Sequence, residues 1–315
     1  MDWSDRIGRR LKPRDLHIFL AVAEQASMAK AAERLSISRP VVSKTIADLE
    51  QTLGVRLLDR TPHGVELTPF GRALLKRSLA VFDELRQSVK EIEFLADPGV
   101  AELRVGFSEV AAAGLVPAAI DRLSQRYPRL SVQTEQGNAA TMLDLLRARR
   151  CELAVIRPTA AEPDFAAEPI CYEQLFVVTG SESKWARRRK LTLAELIDEP
   201  WLLSRAEIQP GGPAFEAFHA IGAAVPRVVT SESLNLRYGL LATGRFITLI
   251  PGSALYYGPQ RSPIKVLPID IPRWSLPLSV VTLKGRSLSP IGQLLTNCLH
   301  GLAKALEKGY GATPS

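Results

Sequence analysis

Cysteine is scarce in this chain of 315 residues: Cys151, Cys171 and Cys298 are an odd number, set far apart. No Cys-x-x-Cys pair and no Cys/His ligand spacing occurs, which argues against a disulfide framework and a structural zinc site. Such cysteines read as small buried hydrophobes in a reducing compartment. The four histidines, His17, His63, His219 and His300, lie in separate segments without ligand spacing. Absent too are G-x-G-x-x-G, a Walker loop, G-x-S-x-G and H-E-x-x-H, so the common nucleotide, hydrolase and metallopeptidase chemistries have no foothold. No metal, cofactor or catalytic residue is expected.

Long apolar runs are missing as well. The longest, "VAAAGLVPAAI", falls short of the about 20 residues that span a bilayer. The opening "MDWSDRIGRR" is charged and has no apolar core, so neither an export signal nor a membrane partner is expected, and the chain reads as cytoplasmic. What is present is ordinary globular composition, 46% hydrophobic and 23% charged, with length for two or three domains. The formal charge of +7 and pI near 9.4 lean towards anionic partners without naming one.

The most informative stretch is "SISRPVVSKTIADLEQTLG", residues 36–54. Pro40 suits a first helical turn, where its missing N–H has no partner to lose, and Ser38 is placed to cap that helix. Val42, Ile46, Leu49 and Leu53 recur at helical spacing and predict one buried stripe. Arg39, Pro40, Ser43 and Lys44 share another face. Upstream, "PRDLHIFLAVAEQAS" carries a helical stripe of Leu16, Phe19, Leu20 and Ala23. Ser27 can cap the short helix "MAKAAERL", with Ala29, Ala32 and Leu35 facing inward. Helix, three-residue turn, helix is the pattern whose second helix reads the major groove.

"VRLLDRTPHGVELT" predicts two short strands around a turn at Gly64, a wing whose Arg60 and His63 are candidates for phosphate or minor-groove contact. From Thr68 as N-cap and Pro69, no proline interrupts until Pro98. Leu75, Ser78, Phe82, Leu85, Val89, Ile92 and Ala96 step by three and four, the spacing of a coiled-coil seam. That narrow seam predicts dimerisation through Leu75, Phe82, Leu85, Val89 and Ile92. Pro98-Gly99 then breaks the chain.

Beyond it, "ELRVGF", "VAAAGLVPAAIDRLSQRYP", "LSVQTEQ", "NAATMLDLLRARR" and "ELAVIR" read strand, helix, strand, helix, strand, hence an open parallel sheet. A second series, "ICYEQLFVVTG" through "RFITLI", and a closing helix "LSPIGQLLTNCLHGLAKALEK" complete two α/β lobes with a cleft between them. The expected domains are 1–68 for the winged helix-turn-helix, 69–97 for a linker helix, and 98–315 for the lobes. Lobe 1 takes about 101–168 plus 269–300, and lobe 2 about 169–268.

At this point the chain resembles the LysR-type transcriptional regulators. The matching elements are "F-x-A-V-A-E", "S-x-x-x-A-A-x-x-L-x-I-S", "V-S-x-x-I-x-x-L-E", "L-G-x-x-L-x-x-R" and "L-T-x-x-G", all within one window of "HIFLAVAEQASMAKAAERLSISRPVVSKTIADLEQTLGVRLLDRTPHGVELTPFG". The later "LDLLRARRCELAV" and "LLATGRFITLIPGSAL" fit too. The resemblance implies an α/β effector region of two periplasmic-binding-protein-like (type 2) lobes behind an all-α winged helix-turn-helix domain and a long linker helix. It further implies a homodimer or homotetramer, promoter DNA and RNA polymerase as partners, and control by a small-molecule effector. Carried over by position, it assigns DNA contact to Arg39, Pro40, Ser43 and Lys44, beside Ser27, Ser38, Arg60 and His63.

Three departures stand out. Arg39 replaces a common Gln, and since Arg suits guanine O6/N7 where Gln suits adenine, a G preference is expected at that base. Leu58 replaces a common Phe. Cys151 replaces a common Gly, beside Arg149 and Arg150, which would lower a thiol's pKa and open a redox-sensing alternative. For the effector, ligands of open α/β sheets lie beyond the strands' carboxyl ends. That singles out Ser108, Gln136, Asn138 and Arg157 in the first lobe, and Ser204, Arg205, Ser233 and Thr248 in the second. Residues 98–315 hold 24 Lys and Arg against 19 Asp and Glu, which points to an organic acid. "KWARRRK", residues 184–190, reads as a solvated loop outside the cleft. Catalysis on such lobes and solute binding for a transporter are the rival readings; the first lacks motifs, and the second is at odds with a DNA-reading module.

Overall fold

Three helices, α1 (Pro13–Gln25), α2 (Met28–Leu35) and α3 (Arg39–Leu53), pack on one another because each carries an apolar face too wide to leave in water. Phe19 and Val22 of α1, Ala31 and Ala32 of α2, and Val42, Ile46 and Leu49 of α3 form one core. The small residue that lets α2 approach α1 is Ala31, completely buried; Ala29, expected inside, is exposed. Leu53 leaves the predicted stripe as well, 38% exposed, because the helix ends there on Gly54 in the left-handed region. The turn between α2 and α3 is made by Ser36, also left-handed, whose N–H donates back to Ala32 and Glu33.

The structure, a computed structural model, describes residues 11–61, 64–158, 162–258, 264–269 and 275–310. Strands β1 (Leu58–Thr61) and β2 (Gly64–Leu67) pair antiparallel as the wing. A Cβ on Gly64 would lie 2.3 Å from the carbonyl of Ala26, so only glycine lets β2 meet the α1–α2 turn. There Val65 N–H donates to the same carbonyl at 3.0 Å. Thr68 then accepts from Gly71 N–H at 3.0 Å and starts α4 (Pro69–Ala96). The described chain forms two units, and their boundary falls inside α4, between Val89 and Lys90.

In the second unit β3 (Glu102–Phe107), β4 (Ser131–Gln136) and β5 (Leu153–Ile156) are parallel. The expected single helix after β3 is two, α5 (Glu109–Ala112) and α6 (Leu115–Arg126), broken at Gly114. A Cβ there would sit 2.4 Å from the backbone of Ser253, so the break admits another segment. Helix α7 (Ala139–Arg147) returns the chain to β5.

The sheet is mixed rather than parallel. β6 (Phe165–Gly180) and β11 (Ser275–Leu283), a strand without a counterpart in the sequence reading, run antiparallel to each other, and β11 also pairs antiparallel with β5. β6 is the shared element: its residues 165–174 pair with β11, and 175–179 with β9 (Ile247–Pro251). Around that second half lie β7 (Trp201–Leu203), β8 (Val228–Thr230) and β10 (Ile264–Val266), giving the order β4-β3-β5-β11-β6-β9-β7-β8 with β10 on β6. Helices α8 (Arg205–Ile208), α9 (Pro213–Ala220), α10 (Leu234–Leu241) and α11 (Gly252–Tyr257) surround this lobe, and α12 (Pro290–Tyr310) closes the chain on lobe 1.

Each lobe has its own core. In lobe 1, Leu103, Val105, Leu153 and Val155 face Leu115 and Ala119 of α6 and Leu295 and Leu299 of α12. Ala154 and Ile156 face the other way, onto Met142 and Leu146 of α7, so β5 is apolar on both faces as a central parallel strand must be. In lobe 2, Trp201 stands edge-on to Phe218 at 5.3 Å and donates its indole N–H to Leu196. The two lobes are joined through β6, and the start of α5 in one meets the start of α10 in the other.

Candidate functional site

The first unit presents the face that periodicity isolated. Arg39, Pro40 and Lys44 are exposed and Ser43 half-buried, on the side of α3 away from Val42, Ile46 and Leu49. Neither Arg39 nor Lys44 has a carboxylate partner among the described residues, so both charges are available to an anion. Ser27 does cap α2, accepting from Lys30 N–H. Ser38 stands at the N-cap of α3 but its hydroxyl makes no capping bond, contrary to expectation. It is exposed beside Arg39. The side chain of Arg60 and all of His63 lie outside the described residues.

Helix α4 divides its predicted seam. Leu75 packs on the core of the first unit, and Phe82 meets His17 at 5.6 Å, so that half does find partners within its own unit. Ser78, at 1% exposure, is buried there too. Leu85, Val89 and Ile92 are 50%, 53% and 67% exposed and remain uncovered.

In the second unit the strand ends bring together a polar cluster. Glu109, the first residue of α5 in lobe 1, reaches the N-terminus of α10 in lobe 2, where its Oε1 accepts from Leu234 N–H at 2.8 Å. Its other oxygen accepts from the side-chain amide of Gln136. A carboxylate suits that position, because the first amides of a helix lack internal partners and carry partial positive charge. Ser108, next to it, has a shielded hydroxyl with no hydrogen-bond partner among the described residues.

Arg157 follows β5. Burial holds its guanidinium below the usual arginine value, opposed by the negative charges of Glu207 and Glu173. No hydrogen bond or ion pair engages it among the described residues. Opposite, Arg237 of α10 is 3% exposed and fully engaged: it pairs with Glu207 at 2.9 Å and donates to Ser231 O at 2.8 Å and to Thr248. Glu207 in turn closes a capping box with Ser204 at the start of α8. Glu173, 1% exposed, accepts from Ser253 N–H at 3.2 Å.

The predicted effector residues therefore have unequal standing. Ser108 and Gln136 lie with Glu109 at the ends of β3 and β4, and Arg157 follows the adjacent β5. Asn138, Ser204 and Ser233 each cap a helix, α7, α8 and α10. Arg205 is exposed, and its backbone N–H donates to Glu232. Thr248 is a correction: it is wholly buried, bonded to Leu202 O and Arg237, because β9 is a central strand covered on both faces. Cys151 is a second correction. It is 1% exposed, and burial, helped by Glu135, pushes its thiol up to about 11 despite the opposing pull of Arg150. Glu109, Glu173, Glu207 and Arg237 were missed. The Ser204-x-x-Glu207 capping box and an arginine inside the apolar "LNLRYGLL" were legible signals for two of them.

Two family models match: "Bacterial regulatory helix-turn-helix protein, lysR family" over residues 13–72, and "LysR substrate binding domain" over residues 97–304. The chain belongs to the LysR family. This LysR-family regulator is 33% identical to the HTH-type transcriptional regulator TfdS of Cupriavidus pinatubonensis, over 76% of this chain and 82% of that one. Among solved structures it is similar to a full-length OxyR variant from Pseudomonas aeruginosa, with TM-score 0.64 and 22% identity over 92% and 94% of the two chains. Full-length CbnR in complex with its target DNA follows, with TM-score 0.54 and 23% identity over 93% and 100%. The regulator is thus a DNA-binding transcriptional regulator with an effector-binding domain, and among its described residues no helix is long and apolar enough to cross a membrane.

Proposed function

We propose that this LysR-family regulator senses a small organic anion between its two lobes and works by binding, without turnover, in the cytoplasm. The observation that carries the reading is Arg157: a half-buried guanidinium at a strand end, within the field of Glu207 and Glu173 but engaged by no hydrogen bond or ion pair among the described residues. Leaving an arginine so placed is unfavourable unless a ligand completes it, and a carboxylate does so with two parallel hydrogen bonds. Ser108, with its unused hydroxyl, lies at the end of the neighbouring strand. Gln136 and the α10 amides are the further donors, presently engaged by Glu109.

Arg39, Pro40, Ser43 and Lys44 read promoter DNA, and Leu85, Val89 and Ile92 pair with a second copy of the chain. Ligand that favours one arrangement of the lobes shifts the oligomer's grip on DNA, by no more than its difference in affinity for the two states. The test is thermal unfolding of the full chain against a panel of organic acids, amino acids and sugars. A ligand at a hundredfold its dissociation constant stabilises the fold by about 2.7 kcal/mol. An acid that raises Tm in the parent but not in Arg157→Ala supports the reading. An uncharged ligand that does so in both defeats it.

A further inference from the structure

The net positive charge of the second unit does not sit at the cleft. Register places Trp201 of β7 beside both Val228 of β8 and Ile247 of β9, and Ile247 beside Thr179 of β6. One end of the lobe 2 sheet is therefore built from the starts of β7, β8 and β9 and the finish of β6. The opposite ends of β7, β8 and β9 lead to Ser204, Ser231 and Ser253, towards lobe 1. The loop 181–190, "SESKWARRRK", leaves β6 at the far end.

That far end is a basic rim. The loop supplies Lys184, Arg187, Arg188, Arg189 and Lys190. Arg227 and Arg245 precede β8 and β9, and Lys265 stands on β10 opposite Thr179. The Arg245 segment adjoins the loop, since a Cβ on Gly244 would lie 3.2 Å from the carbonyl carbon of Glu182. Trp185, half-buried on the lobe 2 core, holds Lys184 and Arg188 over its ring at 4.9 and 5.9 Å. Those two also meet carboxylates, Glu199 at 2.6 Å and Glu195 at 2.8 Å. Arg187, Arg189, Lys190, Arg227, Arg245 and Lys265 are all exposed and have no carboxylate partner among the described residues.

We propose that this rim is a second DNA contact, gripping the phosphate backbone outside the bases read by α3. Guanidinium groups match phosphate bidentately, and five of the eight cations are arginine. The loop 181–190 carries no exposed large apolar side chain, the anchor a protein partner's docking site would need. The regulator already binds DNA through its helix-turn-helix, so phosphates flanking the bases read by α3 accompany every DNA-bound molecule.

The test is the salt dependence of binding by the full chain to a 60-bp duplex. Each phosphate neutralised steepens the slope of log K against log salt by about 0.9. The variant Arg187→Gln/Arg189→Gln/Lys190→Gln is expected to flatten it by up to about 2.7 per protomer. Lys304→Gln/Lys308→Gln, exposed charges on α12, is expected to leave it unchanged. An unchanged slope in the triple variant overturns the proposal, as does an equal flattening per charge in the α12 control. A triple variant with the parental slope that no longer binds purified RNA polymerase assigns the rim to an acidic protein surface and overturns it too.

Discussion

Glu109 and Leu234 stand 125 residues apart and on different lobes, yet the carboxylate of one accepts a hydrogen bond from the backbone amide of the other at 2.8 Å. The regulator thus places its own carboxylate where a helix N-terminus would hold an anion, and Gln136 steadies it there. Glu109→Ala is expected to free the first turn of α10. Amide hydrogen exchange at Leu234 to Leu236 should rise several-fold while exchange in β5 stays at parental levels. Unchanged exchange at Leu234 would remove Glu109 as a tie between the lobes.

Arg157 carries the opposite expectation for stability. Its guanidinium is desolvated without a bonded partner, so Arg157→Ala should leave Tm unchanged or raise it in the absence of ligand. Only the ligand-dependent increment should vanish. A large drop in Tm without ligand would show the arginine to be structural.

Arg237 differs by being paired. Substituting methionine removes the partner of a mostly buried Glu207 and the donor to Ser231 O. Loss of one member of a buried pair typically costs about 3–5 kcal/mol, which denaturant unfolding would register. The double variant Arg237→Met/Glu207→Gln should recover part of that loss, a coupling that a double-mutant cycle measures.

At the DNA interface, Arg39→Gln should exchange a guanine preference for adenine at one position of each half-site, a discrimination of about 1–3 kcal/mol. Binding-site selection from random duplexes reads this directly. A selected site with no G bias in the parent would reduce Arg39 to a phosphate contact.

For the cysteines, burial has a pH consequence. Cys151 is held up to about 11 and Cys171 up to about 12, against an ordinary value of 9.0. A thiol raised in the folded state leaves stability intact below the unfolded value, and that contribution is lost as pH rises from about 9 through 11. Iodoacetamide at pH 7.5 should therefore label Cys151 and Cys171 only on unfolding. Peroxide should leave the DNA affinity of the parent and of Cys151→Ala alike. Rapid native labelling of Cys151 would restore the redox reading.

Local rules made much of this chain legible. The helix-turn-helix followed from a capping Ser27, a three-residue turn, Pro40 at the head of a helix and a stripe at Val42, Ile46 and Leu49; each is a property of residues within a few turns of one another. The wing, α4 and the alternation of strands and helices after Pro98 were equally local. What failed was non-local. β11 could not be assigned to its place between β5 and β6 because nothing near it in sequence records which strands it joins. By sequence Thr248 reads as lying at a strand's carboxyl end, whereas it sits within β9, between β6 and β7, and is wholly buried. Cys151 looked activated because Arg149 and Arg150 are near in sequence, whereas solvent exclusion by Met142, Ile156 and their neighbours decides its chemistry.

Charge shows the division most plainly. The sequence alone determined that residues 98–315 are net basic, and composition then pointed to an acidic effector. Tertiary structure separated the charges: Glu109, Glu173 and Glu207 lie with Arg157 and Arg237 towards the junction of the lobes, Glu173 and Arg237 buried there, while the unpaired lysines and arginines of 184–190 and their neighbours gather at the other end of the same sheet. A sum over residues carries no position, and Coulomb interactions, falling with distance and screened within about 8–10 Å by salt, depend on little else.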